Sequence, residues 1–294
     1  MVVSSASVLP TRLSAMKLVV VSGASRGLGL GFASQLLRRA PQSTIVAASR
    51  SGTSDGLERL MSEYPGRILP VACDVTEQAS TRALTEQLKA DLGGAKVDLL
   101  LNVAGKLHGG QSSAAAETLP SEYMPERSLG SIDATAMQSV FATNALGPVL
   151  MAQAIAPLLA KGGASPCCVA FRTLSGAVRH ARRVGAIVAN LSARVGSIGD
   201  NRLGGWWSYR MSKAALNMAT VNMAIELRRR DVYAVSLHPG TADTGLSVPF
   251  QKNVRPEKLF TVEYSTASML DVLDGLSPSD SGAFFDYAGA RVEY

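Results

Sequence analysis

The sequence predicts an α/β protein, a single domain built around a doubly wound parallel sheet of about seven strands flanked by helices. Two patterns carry that expectation. Short, β-branched apolar runs alternate with longer stretches of helical spacing along nearly all of the 294 residues, the rhythm of successive strand–helix–strand units. The runs are apolar throughout rather than at every second position, which marks strands covered on both faces. No internal repeat or linker interrupts the alternation. With 47% hydrophobic and 18% charged residues, the chain can bury a sizeable core and carries too little charge to stay disordered.

Residues 1–16 are Ser-rich, contain Arg12 and lack any acid. They read as a flexible N-terminal extension of a cytoplasmic protein, or as a short transit peptide for a plastid or mitochondrion. The domain itself is read as 17–294. Residues 17–22 (KLVVVS) form a first strand, followed by a Gly-rich turn and a helix over 28–39. A strand at 44–49 leads to a short helix at 57–64, and a strand at 67–75 to a helix at 76–92. A fourth strand lies at 97–103. Further on, a long helix lies within 132–160, a fifth strand at 186–192 (AIVANLS), and another long helix at 208–230. A sixth strand follows at 233–238 and a seventh at 283–287. Arg38, Arg39 and Arg228 to Arg230 close two of the helices, where cations meet the negative end of the helix dipole. Two stretches break the rhythm. One is the Gly/Ser/Pro-rich loop 106–131; the other is the basic insertion 162–185, which reads as a flap, a docking surface or an unstructured segment.

Charge narrows the function classes. The net charge of +6 is local: residues 134–199 hold six basic side chains and no acid, and the remaining 23 basic residues balance 23 acidic ones. Without a wider basic face, and with aromatics at only 5%, nucleic acid is not an expected partner. The longest weakly polar stretch, 145–160, is broken by Gly147, Gln153 and Pro157 and is shorter than the ~20 apolar residues of a membrane-spanning helix, so no membrane partner is expected. Cys73, Cys167 and Cys168 form no CxxC pair, and His108, His180 and His238 lack ligand-like spacing. Neither a disulfide scaffold nor a metal site is expected.

Between the first strand and the first helix stands Ser22-Gly23-Ala24-Ser25-Arg26-Gly27-Leu28-Gly29. Gly23 allows a tight turn, Gly27 lets the backbone approach a pyrophosphate, and Gly29 permits close helix–strand packing. The helix N-terminus then offers unpaired N–H groups and a partial positive charge to phosphate. Strand, glycines and helix in that order point to a dinucleotide. The second strand ends in Ser49-Arg50, not in the carboxylate that takes the ribose hydroxyls of NAD, and Arg26 projects from the glycine loop. Two guanidiniums there suit a 2′-phosphate, so the expected cofactor is NADP(H).

The chemistry is expected from Tyr209 and Lys213, which the spacing of four puts on one helix face. A phenol with a reference pKa near ~10 is a poor acid–base catalyst at neutral pH; a nearby ammonium favours the phenolate and pulls that value down. Ser192 ends the fifth strand at the carboxyl edge, where open α/β sheets bind ligands. Trp206 and Trp207 either line the substrate cleft or pack the loop.

With these residues in place, the chain from about Lys17 to the C-terminus resembles a short-chain dehydrogenase/reductase. Within that family the run from Ser192 to Lys213, and Pro125-Glu-Arg-Ser-Leu129, are similar to the C-factor-like carbonyl reductases. Other matching elements are Cys73-Asp74-Val75, Asn102-Val-Ala-Gly105 (one change from the family's NNAG), Asn144, and Pro239-Gly240 with Thr241 and Thr244. The resemblance implies a Rossmann fold and reduction of a small carbonyl compound (aldehyde, ketone or quinone) to an alcohol. Tyr209 is then the general acid and Lys213 lowers its pKa and binds the nicotinamide ribose. Ser192 orients the carbonyl, and Asn144 holds a water that links Lys213 to solvent. Gly23, Ser25, Arg26, Gly27, Leu28 and Gly29, with Ser49 and Arg50, take the phosphates and the adenosine ribose. Asp74 meets the adenine amino group, with Val75 beside it. Asn102 is structural, near the cofactor ribose, Ala104 and Gly105 belong to the cofactor-binding set, and Pro239 and Gly240 with Thr241 and Thr244 cover the nicotinamide. The resemblance further implies that 106–131 is a substrate-side loop and that the helices holding Asn144 and Tyr209 form a homodimer face. An NADP(H)-binding regulator of the same fold with little catalysis is the alternative. Two departures stand out: sixteen residues separate Ser192 from Tyr209, against the family's usual dozen or so, and the insertion 162–185 is longer than usual.

Overall fold

The computed structural model describes residues 12–108, 125–161, 169–172, 178–181 and 185–294. In chain order the strands are β1 (Leu18–Ser22), β2 (Thr44–Ser49), β3 (Ile68–Ala72), β4 (Leu99–Asn102), β5 (Val169–Arg172), β6 (Val178–Ala181), β7 (Ile187–Leu191), β8 (Tyr233–His238), β9 (Thr241–Ala242), β10 (Leu259–Phe260) and β11 (Phe284–Asp286). The α-helices are α1 (Gly27–Arg39), α2 (Asp55–Glu63), α3 (Gln78–Asp91), α4 (Ala134–Phe141), α5 (Gly147–Ile155), α6 (Trp207–Leu227) and α7 (Val262–Gly275).

Seven strands form one sheet in the order β11-β8-β7-β4-β1-β2-β3, parallel throughout. The five residues of β1 are all buried, and alternate ones serve opposite faces. Val19 and Val21 join a core with Phe32, Leu36 and Leu37 of α1, Leu57 of α2 and Met269, Leu270 and Leu273 of α7. Val20 joins another with Leu84 and Leu88 of α3, Met151 and Ile155 of α5 and Leu227 of α6. Helices therefore cover both faces, the doubly wound architecture the apolar runs predict. Pro70 lies in β3, an edge strand, where a missing N–H is tolerated.

Several elements differ from expectation. The helix α7 has no counterpart in the sequence reading; Thr261 caps it, accepting from Tyr264 N at 3.1 Å. Arg12 donates to Leu273 O at 3.2 Å and Leu276 O at 2.7 Å, while Leu13 and Met16 are buried. The ordered domain thus begins before Lys17, because these side chains dock on α7; residues 1–11 of the expected extension lie outside the described residues. Within the insertion 162–185, β5 and β6 pair antiparallel, so the segment is not wholly without structure. Of the loop 106–131, residues 109–124 lie outside the described residues. The run Ala134–Leu158 is long and apolar enough, by length and composition alone, to cross a membrane. Here α4, a π-helical turn at Ala142–Leu146 and α5 share it, and Val140, Met151 and Ile155 are fully buried in the protein.

Because all seven strands run the same way, the segments following β3, β2, β1, β4, β7 and β8 emerge side by side along the carboxyl edge. Successive connections diverge between β1 and β4, the place where such sheets open a ligand crevice.

Candidate active site

At the nucleotide end, Gly23 has φ +70°, and a Cβ there would lie 2.8 Å from the Ala104 backbone. Only glycine allows β1 and β4 to close so tightly at this turn. Ser22 Oγ ties the same junction, accepting from Val103 N at 3.1 Å. The first turn of α1 has no side-chain cap, and Arg26 occupies its N-cap position, so the amides of Gly27 to Gly29 retain the anion-binding character of a helix N-terminus. Ser25 accepts from Ser54 Oγ at 2.8 Å through its carbonyl, and Leu28 packs on the core. Arg26 and Arg50 are exposed. Ser49 Oγ and Asn102 Oδ1 are buried without a hydrogen-bond partner among the described residues; both residues end strands at the carboxyl edge, one on either side of β1, and Asn102 Nδ2 donates to Asn190 Oδ1 at 2.8 Å.

Asp74 accepts from Thr76 N at 2.9 Å and Thr76 Oγ1 at 2.7 Å, both on Oδ1. Partial burial pulls its pKa up, but the Thr76 bonds and then the charges of Arg50 and Lys106 outweigh it and hold the carboxyl below its ordinary value. Val75 packs against Gly147, whose added Cβ would lie 2.8 Å from Val75 Cγ2. The segment after β8 reaches back to the glycine loop: Thr244 Cγ2 lies 3.4 Å from a Cβ built on Gly27. Ser265 of α7 donates to Pro239 O at 2.7 Å, and the pairing of β9 with β10 fixes Thr241.

At the other end of the crevice, Tyr209 and Lys213 stand one turn apart on α6 and are both buried. Lys213 Nζ lies 5.7 Å from the Tyr209 ring centroid and donates to Leu191 O at 2.7 Å. It also lies 3.9 Å from a Cβ built on Gly105, and Asn144 Oδ1 lies 3.6 Å from the same point. Asn144 sits in the π-helical turn, the kind of local widening found at functional positions. Its side chain clasps the backbone of Lys106, accepting from its N–H and donating to its C=O, each at 2.7 Å, and donates to Ser212 Oγ at 3.1 Å. Burial raises the Tyr209 phenol well above its ordinary value and lowers Lys213 to about 7. The phenol is therefore held protonated at neutral pH, and the lysine sits near the midpoint of its titration.

Ser192 departs from expectation. It is 2% exposed, and its hydroxyl donates to Asn217 Oδ1 at 2.7 Å, which commits it to α6 instead of to a carbonyl beside Tyr209. The next residue, Ala193, lies in the apolar cluster with Leu107 and Tyr209, packed by Val195, Trp206 and Phe250. Trp206 packs beside the phenol, edge-on to Tyr209 at 6.2 Å and 5.0 Å from Phe250 between ring centroids.

Three further residues make site contacts for which the sequence motifs give no role. Lys106 follows Gly105 directly, and its Nζ donates to Ser139 Oγ at 2.7 Å. Burial, then the like charge of Arg50, lowers its pKa against the pull of Asp74. Asn217, four residues past Lys213, holds Ser192. Glu126 caps α6: its carboxylate accepts from Ser208 N at 3.3 Å and from Ser208 Oγ, and its carbonyl accepts from Trp206 N. Position four after the lysine is a signal that helical periodicity offers for Asn217; Glu126 lies inside the matching run 125–129, which carries no role of its own.

Residues 17–166 match the short chain dehydrogenase family model. The chain is 37% identical over 166 residues to the C-signal of Myxococcus xanthus, covering 56% of this chain and 83% of that protein. It is 30% identical to the 1-hydroxy-2-glutathionyl-2-methyl-3-butene dehydrogenase of Rhodococcus sp. (strain AD45), over 95% of this chain and all of that one. Among solved structures it is similar to an NADPH-bound carbonyl reductase from chicken fatty liver, with a TM-score of 0.75, 28% identity, and coverage of 95% of this chain and 99% of that one. A chain with this fold and this site is an oxidoreductase in class. It belongs to the short-chain dehydrogenase/reductase family, alongside the C-factor-like carbonyl reductases.

Proposed function

We propose that the protein reduces small carbonyl compounds to alcohols with NADPH, Tyr209 serving as the general acid. The observation that carries this reading is the buried Tyr209–Lys213 pair, its ammonium 5.7 Å from the phenol ring centroid and 3.9 Å from a Cβ built on Gly105 after β4. The residues of the crevice suit the cofactor: a helix N-terminus at Gly27 and buried Ser49 Oγ and Asn102 Oδ1, all without a side-chain partner among the described residues, and a backbone cradle at Gly23 that a Cβ would fill. Gly23 to Gly29 would hold the pyrophosphate, and Arg26 and Arg50 a 2′-phosphate. Asp74 and Val75 would meet the adenine, Ala104 and Gly105 would lie along the ribose, and Pro239 to Thr244 would cover the nicotinamide. When bound, NADPH supplies the hydride.

The protein's own part is proton supply and positioning. The Tyr209 Oη proton passes to the carbonyl oxygen as charge develops there, and the phenol is restored from solvent. Burial makes the phenol a weaker acid than the sequence predicts; a charged Lys213 offsets this by stabilising the phenolate left behind. Asn144, by clasping Lys106, fixes the loop that adjoins Lys213; a water between Asn144 and Lys213 would complete the route to solvent. Trp206 and Phe250 favour an apolar or aromatic substrate. A regulator without catalysis is disfavoured, because a pure binder has no use for the buried phenol–ammonium pair.

A homodimer is part of the proposal. Met211, Met218 and Ile225, seven residues apart on α6, are exposed together with Leu146 of the π-helical turn and Val149 of α5, an apolar stripe that a second copy would cover. The reading is tested by following NADPH oxidation against a panel of aldehydes, diketones and quinones. Turnover with at least one class is expected, and none with any class would refute it.

A further inference from the structure

The direction of two adjacent side chains after β7 separates anchoring from chemistry. Asn190 and Ser192 lie two residues apart and share one face of the sheet. Both reach α6: Asn190 Nδ2 donates to Thr220 Oγ1 at 2.9 Å, and Ser192 Oγ to Asn217 Oδ1 at 2.7 Å. Thr220 and Asn217 are three residues apart on that helix and so lie on one side of it. Asn217 then donates to Gly196 O at 3.4 Å. Ser192 is one rung of a buried polar ladder between sheet and helix. Ala193, one residue on, points the other way, into the apolar cluster around Tyr209. The wall next to the phenol there is a methyl group.

This matters because of where charge appears. In carbonyl reduction a C–H bond forms at the carbonyl carbon from the hydride of NADPH, the C=O π pair moves to oxygen, and the oxygen takes the Tyr209 proton. A second preorganised donor at that oxygen lowers the barrier, and Ala193 offers none. Carbonyls that carry their own electron-withdrawing neighbour have less need of it.

We propose that Ala193 is a specificity-determining residue: by placing a methyl group where a hydroxyl would meet the carbonyl oxygen, it restricts the enzyme to activated carbonyls, vicinal diketones and quinones, while Ser192 is a structural anchor. The inference rests on the carbonyl reductase reading above and names its substrate class.

The test compares benzil with its monoketone, deoxybenzoin, as substrates for the wild type, Ser192→Ala and Ala193→Ser, with NADPH and with melting temperatures recorded. Wild type should turn over benzil and strongly disfavour deoxybenzoin. Ala193→Ser should narrow that preference roughly tenfold, the worth of one hydrogen bond. Ser192→Ala should melt several degrees lower yet keep its kcat for benzil, and Asn217→Ala, which removes the same rung from the other side, should behave alike. If Ala193→Ser fails to fold, the two anchor variants decide the matter. A folded Ser192→Ala protein without turnover, alongside an active wild type, overturns the inference alone. Equal use of both ketones by the wild type also overturns it. No turnover by wild type or Ala193→Ser with either ketone overturns the carbonyl reductase reading and this inference with it.

Discussion

Replacing Lys213 with methionine keeps the length of the side chain and removes its ammonium. Lys213 is 4% exposed, and the hydrogen bond to Leu191 O is its polar contact among the described residues. Burial lowers its pKa from the ordinary 10.5 to about 7. At about 1.4 kcal/mol for each tenfold change, that corresponds to an upper bound of about 5 kcal/mol for holding the charge in this site. The methionine variant loses the hydrogen bond and leaves the Leu191 carbonyl unpaired, a cost of about 1–3 kcal/mol. A net stabilisation of about 2 kcal/mol near neutral pH is expected, at the expense of turnover. The pH dependence follows from the direction of the shift. Between about 7 and 10.5 the unfolded chain holds a proton that the folded protein has released, so wild-type stability rises with pH across that window. Below it the full penalty for burying the charge applies. The methionine variant lacks this slope. Urea denaturation of cofactor-free protein between pH 6 and pH 10 (on the order of the window the lysine titrates through) should show the variant ahead at the acid end and the gap closing at the alkaline end. A variant less stable than wild type at neutral pH, or a gap that does not change with pH, would refute the reasoning.

Arg50→Ala, alone or with Arg26→Ala, should weaken NADPH binding roughly 10- to 100-fold per lost charge-assisted contact while leaving NADH little changed; an equal loss for both cofactors would contradict the 2′-phosphate assignment. Glu126→Ala should remove the cap of α6, lowering stability by about 1 kcal/mol, and should reduce kcat more than it weakens NADPH binding, since Tyr209 lies one residue past the capped serine. For the free enzyme, kcat/KM for reduction should fall as pH rises through about 7, where Lys213 loses its charge; a profile flat across that range would separate Lys213 from the proton transfer. Met218→Glu should shift a dimer towards monomer in light scattering, and an unchanged mass would place any interface elsewhere.

Much of this architecture is legible in the chain because its strands are buried on both faces. Runs such as LVVVS and TIVAAS have no alternative use for so many β-branched side chains, and the glycines at 23, 27 and 29 answer to a geometry few turns share. Other features escape for physical reasons. The first half of α7 is rich in Ser and Thr, and its apolar residues Met269, Leu270 and Leu273 crowd into the second half, so its helical period is too short to read. The docking of Arg12 depends on carbonyls more than 260 residues away. Ser192 shows the sharpest limit. Spacing places a serine at the end of the fifth strand, but a strand reverses the direction of its side chains at each residue, and a difference of one position separates the hydroxyl facing α6 from the methyl facing Tyr209. The Tyr209–Lys213 pair has no such ambiguity, since an interval of four on a helix fixes a shared face.

Replacing Tyr209 with phenylalanine deletes one oxygen, the proposed proton donor, from a side chain whose ring remains packed against Trp206. NADPH affinity, followed by fluorescence titration, is expected to stay within about threefold of wild type, and kcat for carbonyl reduction to fall at least ~100-fold, the contribution of a positioned general acid. A phenylalanine variant that binds NADPH normally and still turns over at the wild-type rate would contradict the account.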